Sequence, residues 1–342
     1  MGKLDRYSRQ ILFSPIGEDG QKKLINSRVV IVGMGALGTV IANHLVRAGI
    51  GHVRMIDRDL VEMSNLQRQS LYDEEDAANL LPKVMAAKER LQQINSDVHI
   101  DAIVADVTVD NADELLSNTD IILDGTDNFM TRYLMNDVAV KYGIPWIYGG
   151  AVSSRGMFAV IIPGVTPCYR CMFPDIPVGL GETCDTIGVL SPITDIVGSY
   201  QAVEAIKLLV GAQHNPNLEQ MDIWNNSFMQ MDLSLGHNPD CPACVHKQFE
   251  FLERPLNSRM KVTTLCGRDT IQINPHSKHG MDLENLAARL QVVGKVEGNA
   301  FVMRFTPIQG IKMVFFRDGR VLIHGIDDPN QAKELYAKYA GL

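Results

Sequence analysis

Several things are missing from this 342-residue chain, and each absence narrows what it does. No run of 18 apolar residues occurs, so no membrane-spanning helix is expected. Nothing resembling a secretory leader follows the start "MGKLDRYSRQ", and a cytoplasmic location is the expectation. Basic residues are not in excess: 32 Lys and Arg face 40 Asp and Glu, a net charge of -8. That argues against a general nucleic-acid binder, though not against a local basic pocket. Internal repeats and low-complexity tracts are absent. The nine histidines show no ligand spacing and read as structural or surface residues. Cysteine is scarce, at six residues, and without a leader a disulfide framework is not expected. Hydrophobic content of 46% and charged content of 21% leave an ordinary globular chain.

Apolar runs alternate with helical patterns along most of the length. "SRVVIVGMG" reads as a buried strand entering glycines, and "LGTVIANHLVRAG" as a helix closed by Gly49. "HVRMIDRD", "VHIDAIVADV", "TDIILDGTDN", "IPWIYGGAV" and "RGMFAVIIPG" read as further strands. Helices are expected at 82–96, at "FMTRYLMNDVAVKYG" and at 199–211. This order predicts an α/β fold, a doubly wound Rossmann-like and mostly parallel sheet. Near "ERPLNSRM" the character shifts to a linker. The expected domains are 1–252 and a small α+β unit over 253–342. Within the latter the pattern predicts strands at 270–274, 295–306, 311–317 and 320–325, with helices at 282–291 and 328–339.

Gly33, Gly35 and Gly38 form G-x-G-x-x-G between a strand and a helix, a nucleotide-binding turn. Asp57 ends the next strand 19 residues past Gly38, where it can accept from ribose hydroxyls. The turn alone does not choose among NAD, FAD and ATP. A second acid, Asp59, follows at once, and then Asn65, Gln67 and Arg68. With Lys83 on a later segment, this cluster suits a triphosphate better than a shared pyrophosphate. Asp127, in "DGTDN", is placed to hold magnesium on those phosphates. The competing readings are plain ones: Arg68 and Lys83 as solvated surface cations, Asp127 as a helix N-cap.

Four cysteines, Cys168, Cys171, Cys241 and Cys244, form two C-x-x-C pairs separated by 69 residues. Four thiolates suit a closed tetrahedral zinc site. A redox pair is the rival, but it needs one C-x-x-C at a helix start, not two. Cys266 reads as a small buried hydrophobe.

The motifs "RYSRQ", G-x-G-x-x-G, "DRDLVEMSNLQRQ", "PKV", "DGTDN", "PCYRC", "CDTIGVLSP", "QAVEAIKLL" and "CPAC" occur in an order that resembles the ThiF/MoeB/HesA family, bacterial relatives of the ubiquitin-activating enzymes. The likeness spans residues 4–248. It departs in Asp59-Leu60 and in Ala36, which stands where the family turn often has a third glycine. The resemblance implies an adenylyltransferase that uses Mg-ATP to activate the C-terminal carboxylate of a ubiquitin-like sulfur carrier of the ThiS or MoaD type. It implies a nucleotide set of Gly33, Gly35, Ala36, Gly38, Asp57, Asp59, Ser64, Asn65, Leu66, Gln67, Arg68, Lys83, Asp127 and Asn128. Arg9 resembles an arginine that reaches the γ-phosphate of a neighbouring subunit, so a homodimer is implied; a surface arginine is the alternative. Cys184 resembles a family cysteine that in some members links covalently to the carrier, with a cysteine desulfurase as sulfur donor; an idle loop thiol is the alternative. The small C-terminal unit shows no rhodanese-type loop. Three other readings compete: an NAD(P)-dependent oxidoreductase, which lacks a proton-relay residue here; a non-catalytic adaptor with a degenerate site, against which every expected polar residue is present; and adenylation of a non-protein carboxylate such as a modified tRNA.

Overall fold

The computed structural model describes residues 4–175, 184–234, 236–253, 261–264, 270–274, 280–307 and 311–340. The chain divides into two compact units, Met1–Glu74 with Pro82–Arg254, and Glu75–Leu81 with Pro255–Leu342. No composition signal marks the short 75–81 segment as part of the second unit.

The first unit is built on an eight-stranded sheet, in the order β3-β2-β1-β4-β5-β6-β7-β8. Its strands are β1 (Arg28–Val32), β2 (His52–Asp57), β3 (His99–Val104), β4 (Ile121–Asp124), β5 (Trp146–Val152), β6 (Arg155–Ile161), β7 (Asn217–Asp222) and β8 (Ser227–Asp232). The first five are parallel and the last three antiparallel. β1 and β4 are apolar almost throughout and buried, as strands covered on both faces must be. The sequence pattern gave no strand between 212 and 240. β7 and β8 were hidden because their alternation mixes acids and amides with apolar residues.

The helix expected over 199–211 is longer, Ser191–Val210. Pro192 sits in its first turn, where a missing N–H costs nothing. Gly198, a breaker on paper, lets it press against the helix Ala36–Ala48: a Cβ there would stand 2.9 Å from Val40 Cβ. Helix Phe129–Tyr142 covers the other side, carrying Tyr133, Met135 and Val138 into a core shared with Trp146 and Phe251.

Asp137 on that helix is buried and accepts the backbone N–H groups of Phe251 and Leu252. Burial pushes its carboxyl up from 3.8 to about 6, against those two hydrogen bonds. The native state therefore holds a proton that the unfolded chain releases first, so stability falls as pH rises from about 4 to about 6. Above that window the ionised group costs about 3 kcal/mol. Asp137→Asn should raise the melting temperature by several degrees at pH 8 and change it little at pH 3.5. Equal shifts at both pH values would refute the assignment.

The second unit carries a six-stranded antiparallel sheet, in the order β11-β12-β13-β14-β10-β9. These strands are β9 (Lys261–Thr264), β10 (Thr270–Asn274), β11 (Gly294–Gly298), β12 (Val302–Pro307), β13 (Lys312–Phe316) and β14 (Val321–His324). The stretch expected as one strand, 295–306, is a hairpin. Asn299 turns it by accepting the N–H groups of Phe301 and Val302. Helices Leu283–Leu290 and Pro329–Ala340 cover one face of the sheet through Leu286, Leu290 and Tyr336. Cys266 lies outside the described residues.

Candidate active site

β1, β2 and β4 all end at the same carboxyl edge of the sheet, so the loops that follow them converge. Gly33 takes a left-handed φ of +89°, and its Cβ would stand 2.6 Å from the carbonyl oxygen of Gly125. A Cβ on Gly38 would stand 1.9 Å from the Gly33 oxygen. The turn is therefore glycine-bound at both positions, with the β4 loop packed directly on it. Gly35 differs. Its nearest neighbour would be the Gln69 amide nitrogen at 3.8 Å, which leaves room for a ligand. Gly35 also caps the helix Ala36–Ala48 without a side-chain acceptor, so the first N–H groups of the helix stay open to an anion.

Asp57 is 9% exposed and fixed by two backbone donors, Met34 N at 2.6 Å and Asp59 N at 2.7 Å. Burial pushes its carboxyl up; Lys83 opposes the rise and the like charge of Asp59 adds to it. Beyond Asp57 the chain runs extended. Leu60 bridges Pro82, and Asp59 O accepts Lys83 N at 3.0 Å. This sets Lys83 at the start of the helix Lys83–Ile94, beside the acids. Its side chain is buried and its Nζ lies 3.2 Å from Asp59 Oδ2. Burial works against the ammonium, yet Asp59, Asp57 and Asp127 together hold its pKa above the ordinary value. Lys83 is thus a buried, permanently charged cation and not a surface lysine.

Asp127 is exposed in the 125–128 loop, and it is not the N-cap of the following helix. That role falls to Asn128, whose Oδ1 accepts Met130 N and Thr131 N. The loop is held by the acid before it. Asp124 is fully buried and pairs with Arg132 at 2.7 Å while accepting Thr126 N at 3.0 Å. Arg132 in turn donates to the carbonyls of Thr126 and Gly149. Asp124 and Arg132 were not foreseen as contributors; in "DGTDN" the first acid looks as exposed as the second.

The 64–69 segment forms a tight helical turn in which the Arg68 and Gln69 N–H groups both return to Asn65 O. Asn65 and Gln69 are buried on one side of it, at 1% and 4% exposure. Ser64 and Gln67 are exposed, and Leu66 and Arg68 half-buried. The amide that reaches the glycine turn therefore belongs to Gln69, not to Gln67. The four-residue spacing from Asn65 was the available signal. Among the described residues, Asn65 Oδ1 and Gln69 Oε1 have no hydrogen-bond partner.

Two expected residues stand apart. Arg9 is exposed on the short helix Ser8–Ile11. Its neighbour Gln10 donates to Ala48 O, at the far end of the helix that begins at the glycine turn. Thirteen helical residues span about 20 Å, so Arg9 does not reach the site of its own chain. Cys184 opens the helix Cys184–Ile187, which hydrogen bonds between Ser153 and Gly188 and between Leu190 and Ser153 tie to the carboxyl end of β5. The Cys184 side chain and residues 176–183 lie outside the described residues.

The Sγ atoms of Cys168, Cys171, Cys241 and Cys244 all lie within 4.8 Å of one another. Three of the separations are 3.5, 3.6 and 3.8 Å. A tetrahedral site with Zn–S bonds of about 2.3 Å has edges of about 3.8 Å, so the four sulfurs fit such an ion. The Cys168–Cys171 contact favours a thiolate at Cys171 and a thiol at Cys168.

A mostly parallel α/β sheet and a glycine turn with an open helix N-terminus, beside the buried Asp57 and Lys83, give the chain a Rossmann-type fold. The chain belongs to the ThiF family, whose family model matches residues 7–243. It is 46% identical to the sulfur carrier protein ThiS adenylyltransferase of Bacillus subtilis, over 98% of this chain and 99% of that one. It is 39% identical to the SAMP-activating enzyme E1 of Haloferax volcanii, over 71% of this chain and 89% of that one. Among solved structures, E. coli MccB with ATP is similar in fold, with a TM-score of 0.60 at 23% identity over 70% of this chain and 74% of MccB. Among the described residues, no helix is long and apolar enough to cross a membrane.

Proposed function

We propose that this chain is the adenylyltransferase of a ThiS-type sulfur carrier, activating the carrier's C-terminal carboxylate with ATP and releasing pyrophosphate. The observation that carries the reading is Lys83, a buried cation held among Asp57, Asp59 and Asp127 at the mouth of the glycine turn. A dehydrogenase would give that lysine no task. The full-length likeness to the Bacillus subtilis ThiS adenylyltransferase favours the ThiS type over the MoaD type.

Asp57, held by Met34 N and Asp59 N, keeps lone pairs for the ribose hydroxyls. The helix N-terminus at Ala36 receives phosphate oxygens. The carrier carboxylate attacks the α-phosphorus as the bond to the β-phosphate oxygen breaks. It is already ionised, so the step needs no general base. Two anions meet in it, and charge stabilisation is the main demand. In this reading Lys83 and Arg68 take the charge that develops on the pyrophosphate. Asp127, the acid its own loop does not use, would hold magnesium, which spreads the phosphate charge when bound.

Arg9 acts from a second copy in this reading. Leu12 and Phe13 beside it are 74% and 60% exposed, an apolar surface suited to a homodimer contact. Cys184, at the carboxyl end of β5, is a candidate for sulfur transfer or a thioester, with a cysteine desulfurase as donor. The carrier docks on β8, an edge strand whose six residues, Phe228, Met229 and Met231 among them, are all exposed.

The test is ATP–pyrophosphate exchange with magnesium and either a ThiS-type or a MoaD-type carrier. Exchange with the ThiS-type carrier alone is the expected result. Exchange with the MoaD type alone would move the enzyme to the other pathway, and exchange with neither would sink the reading.

A further inference from the structure

Helix Ser191–Val210 and strand β8 leave a groove of 510 Å³ between them, on the face opposite Met229 and Met231. Its lips are apolar: Tyr200, Val203 and Phe228 are 43%, 47% and 54% exposed. Two carboxyl groups lie in its floor, with Lys207 and His214 also lining the groove. Glu204 and Glu219 are 2% and 1% exposed, among the most buried carboxyl groups of the first unit. Glu204 is satisfied, by Lys207 Nζ at 2.6 Å and Asn215 N at 2.9 Å. Glu219 is half satisfied. Its Oε1 accepts Asn215 Nδ2 at 2.6 Å and Gln230 Nε2 at 3.0 Å, while Oε2 has no hydrogen-bond partner among the described residues. A buried carboxyl oxygen without a donor is costly, and the nucleotide site makes no use of it. The register explains its aim: on β7, Glu219 faces Phe158 of β6 and Gln230 of β8, and all three line the groove.

We infer that Glu219 is the specificity anchor of the carrier-docking face, receiving one lysine or arginine of the ubiquitin-like carrier through the apolar lips of this groove. The inference rests on the carrier reading above and adds the chemistry by which the partner is selected. Oε2 is closed to solvent in the free chain, so a cation reaches it as the Glu219 side chain turns toward the slot; an apolar slot over a buried acid suits a long side chain with an aliphatic stem and a cationic head. A neutral or acidic side chain there would leave Oε2 unpaired or repelled, so the groove discriminates among carriers that share the same C-terminal tail.

Binding of the ThiS-type carrier to the full-length chain, measured by calorimetry, tests this with Glu219→Gln. Gln keeps the volume and an acceptor but removes the charge. Carrier affinity and the KM for carrier should worsen ~30-fold, the KM for ATP should hold, and salt should weaken wild-type binding more than variant binding. Alanine replacement of each carrier lysine and arginine against the wild-type enzyme is an independent arm. One cation should cost a similar factor, and its effect should vanish in the Glu219→Gln background. Carrier binding unchanged within twofold in the variant, or no single carrier cation mattering to the wild type, would overturn the inference alone. No carrier binding by the wild type would overturn the carrier reading and the anchor together.

Discussion

Replacing Asp127 with alanine is expected to slow ATP–pyrophosphate exchange by ~10²–10³-fold, about 3–4 kcal/mol of transition-state stabilisation. The fold should not change, because Asp127 holds none of its own loop. The loop is fixed by Asp124, Arg132, Thr126 and the Asn128 cap, all untouched. Melting temperature and zinc content should match the wild type. The loss should appear as a raised magnesium requirement together with a lower kcat, since the acid would act by holding the ion on the phosphates. Lys83 would stay charged with Asp59 and Asp57 still beside it. Exchange within threefold of wild type at ordinary magnesium would remove Asp127 from the mechanism. Asp124→Asn offers the contrast: it breaks a buried ion pair and should lower stability as well as activity.

Cys241→Ser should empty the metal site and unfold the first unit at lower temperature. Metal analysis should fall from about one zinc per chain to near zero, with a drop in melting temperature of about 10 °C or more. The size follows from what the cluster holds. Cys241 is fully buried in the same core as Phe249, Phe251 and Leu252. Phe251 stacks on Tyr133 at 4.7 Å, so the segment after the second C-x-x-C is packed on helix Phe129–Tyr142. With one ligand gone, that segment loses its attachment to Cys168 and Cys171, and three thiols remain in an apolar setting. Unaltered zinc content would refute the four-sulfur site. An unaltered melting temperature with zinc lost would show that the metal contributes nothing to the fold.

Much of this molecule is fixed by local rules that act within a few residues. A strand entering Gly33, a helix leaving Gly35 and an acid closing the next strand read as a nucleotide turn, because only glycine tolerates the contacts at Gly33 and Gly38. The paired C-x-x-C spacing likewise announces four thiolates before any fold is known. What the sequence could not decide was direction and burial. Gln67 and Gln69 are the same residue type two positions apart, and only the tight turn at Asn65 sends one inward and the other to solvent. Asp124 and Asp127 read alike in "DGTDN", yet Asp124 is consumed by a buried pair with Arg132, eight residues on, while Asp127 stays exposed. The helix expected over 199–211 starts at Ser191, with Pro192 in its first turn and Gly198 as its contact point with the helix Ala36–Ala48. β7 and β8 were invisible because an antiparallel edge is stabilised by its partner strand and not by its own pattern. Glu219 is buried with one oxygen unpaired for the same reason: its surroundings come from β6, β8 and a helix that the sequence places far apart and only the tertiary fold brings together.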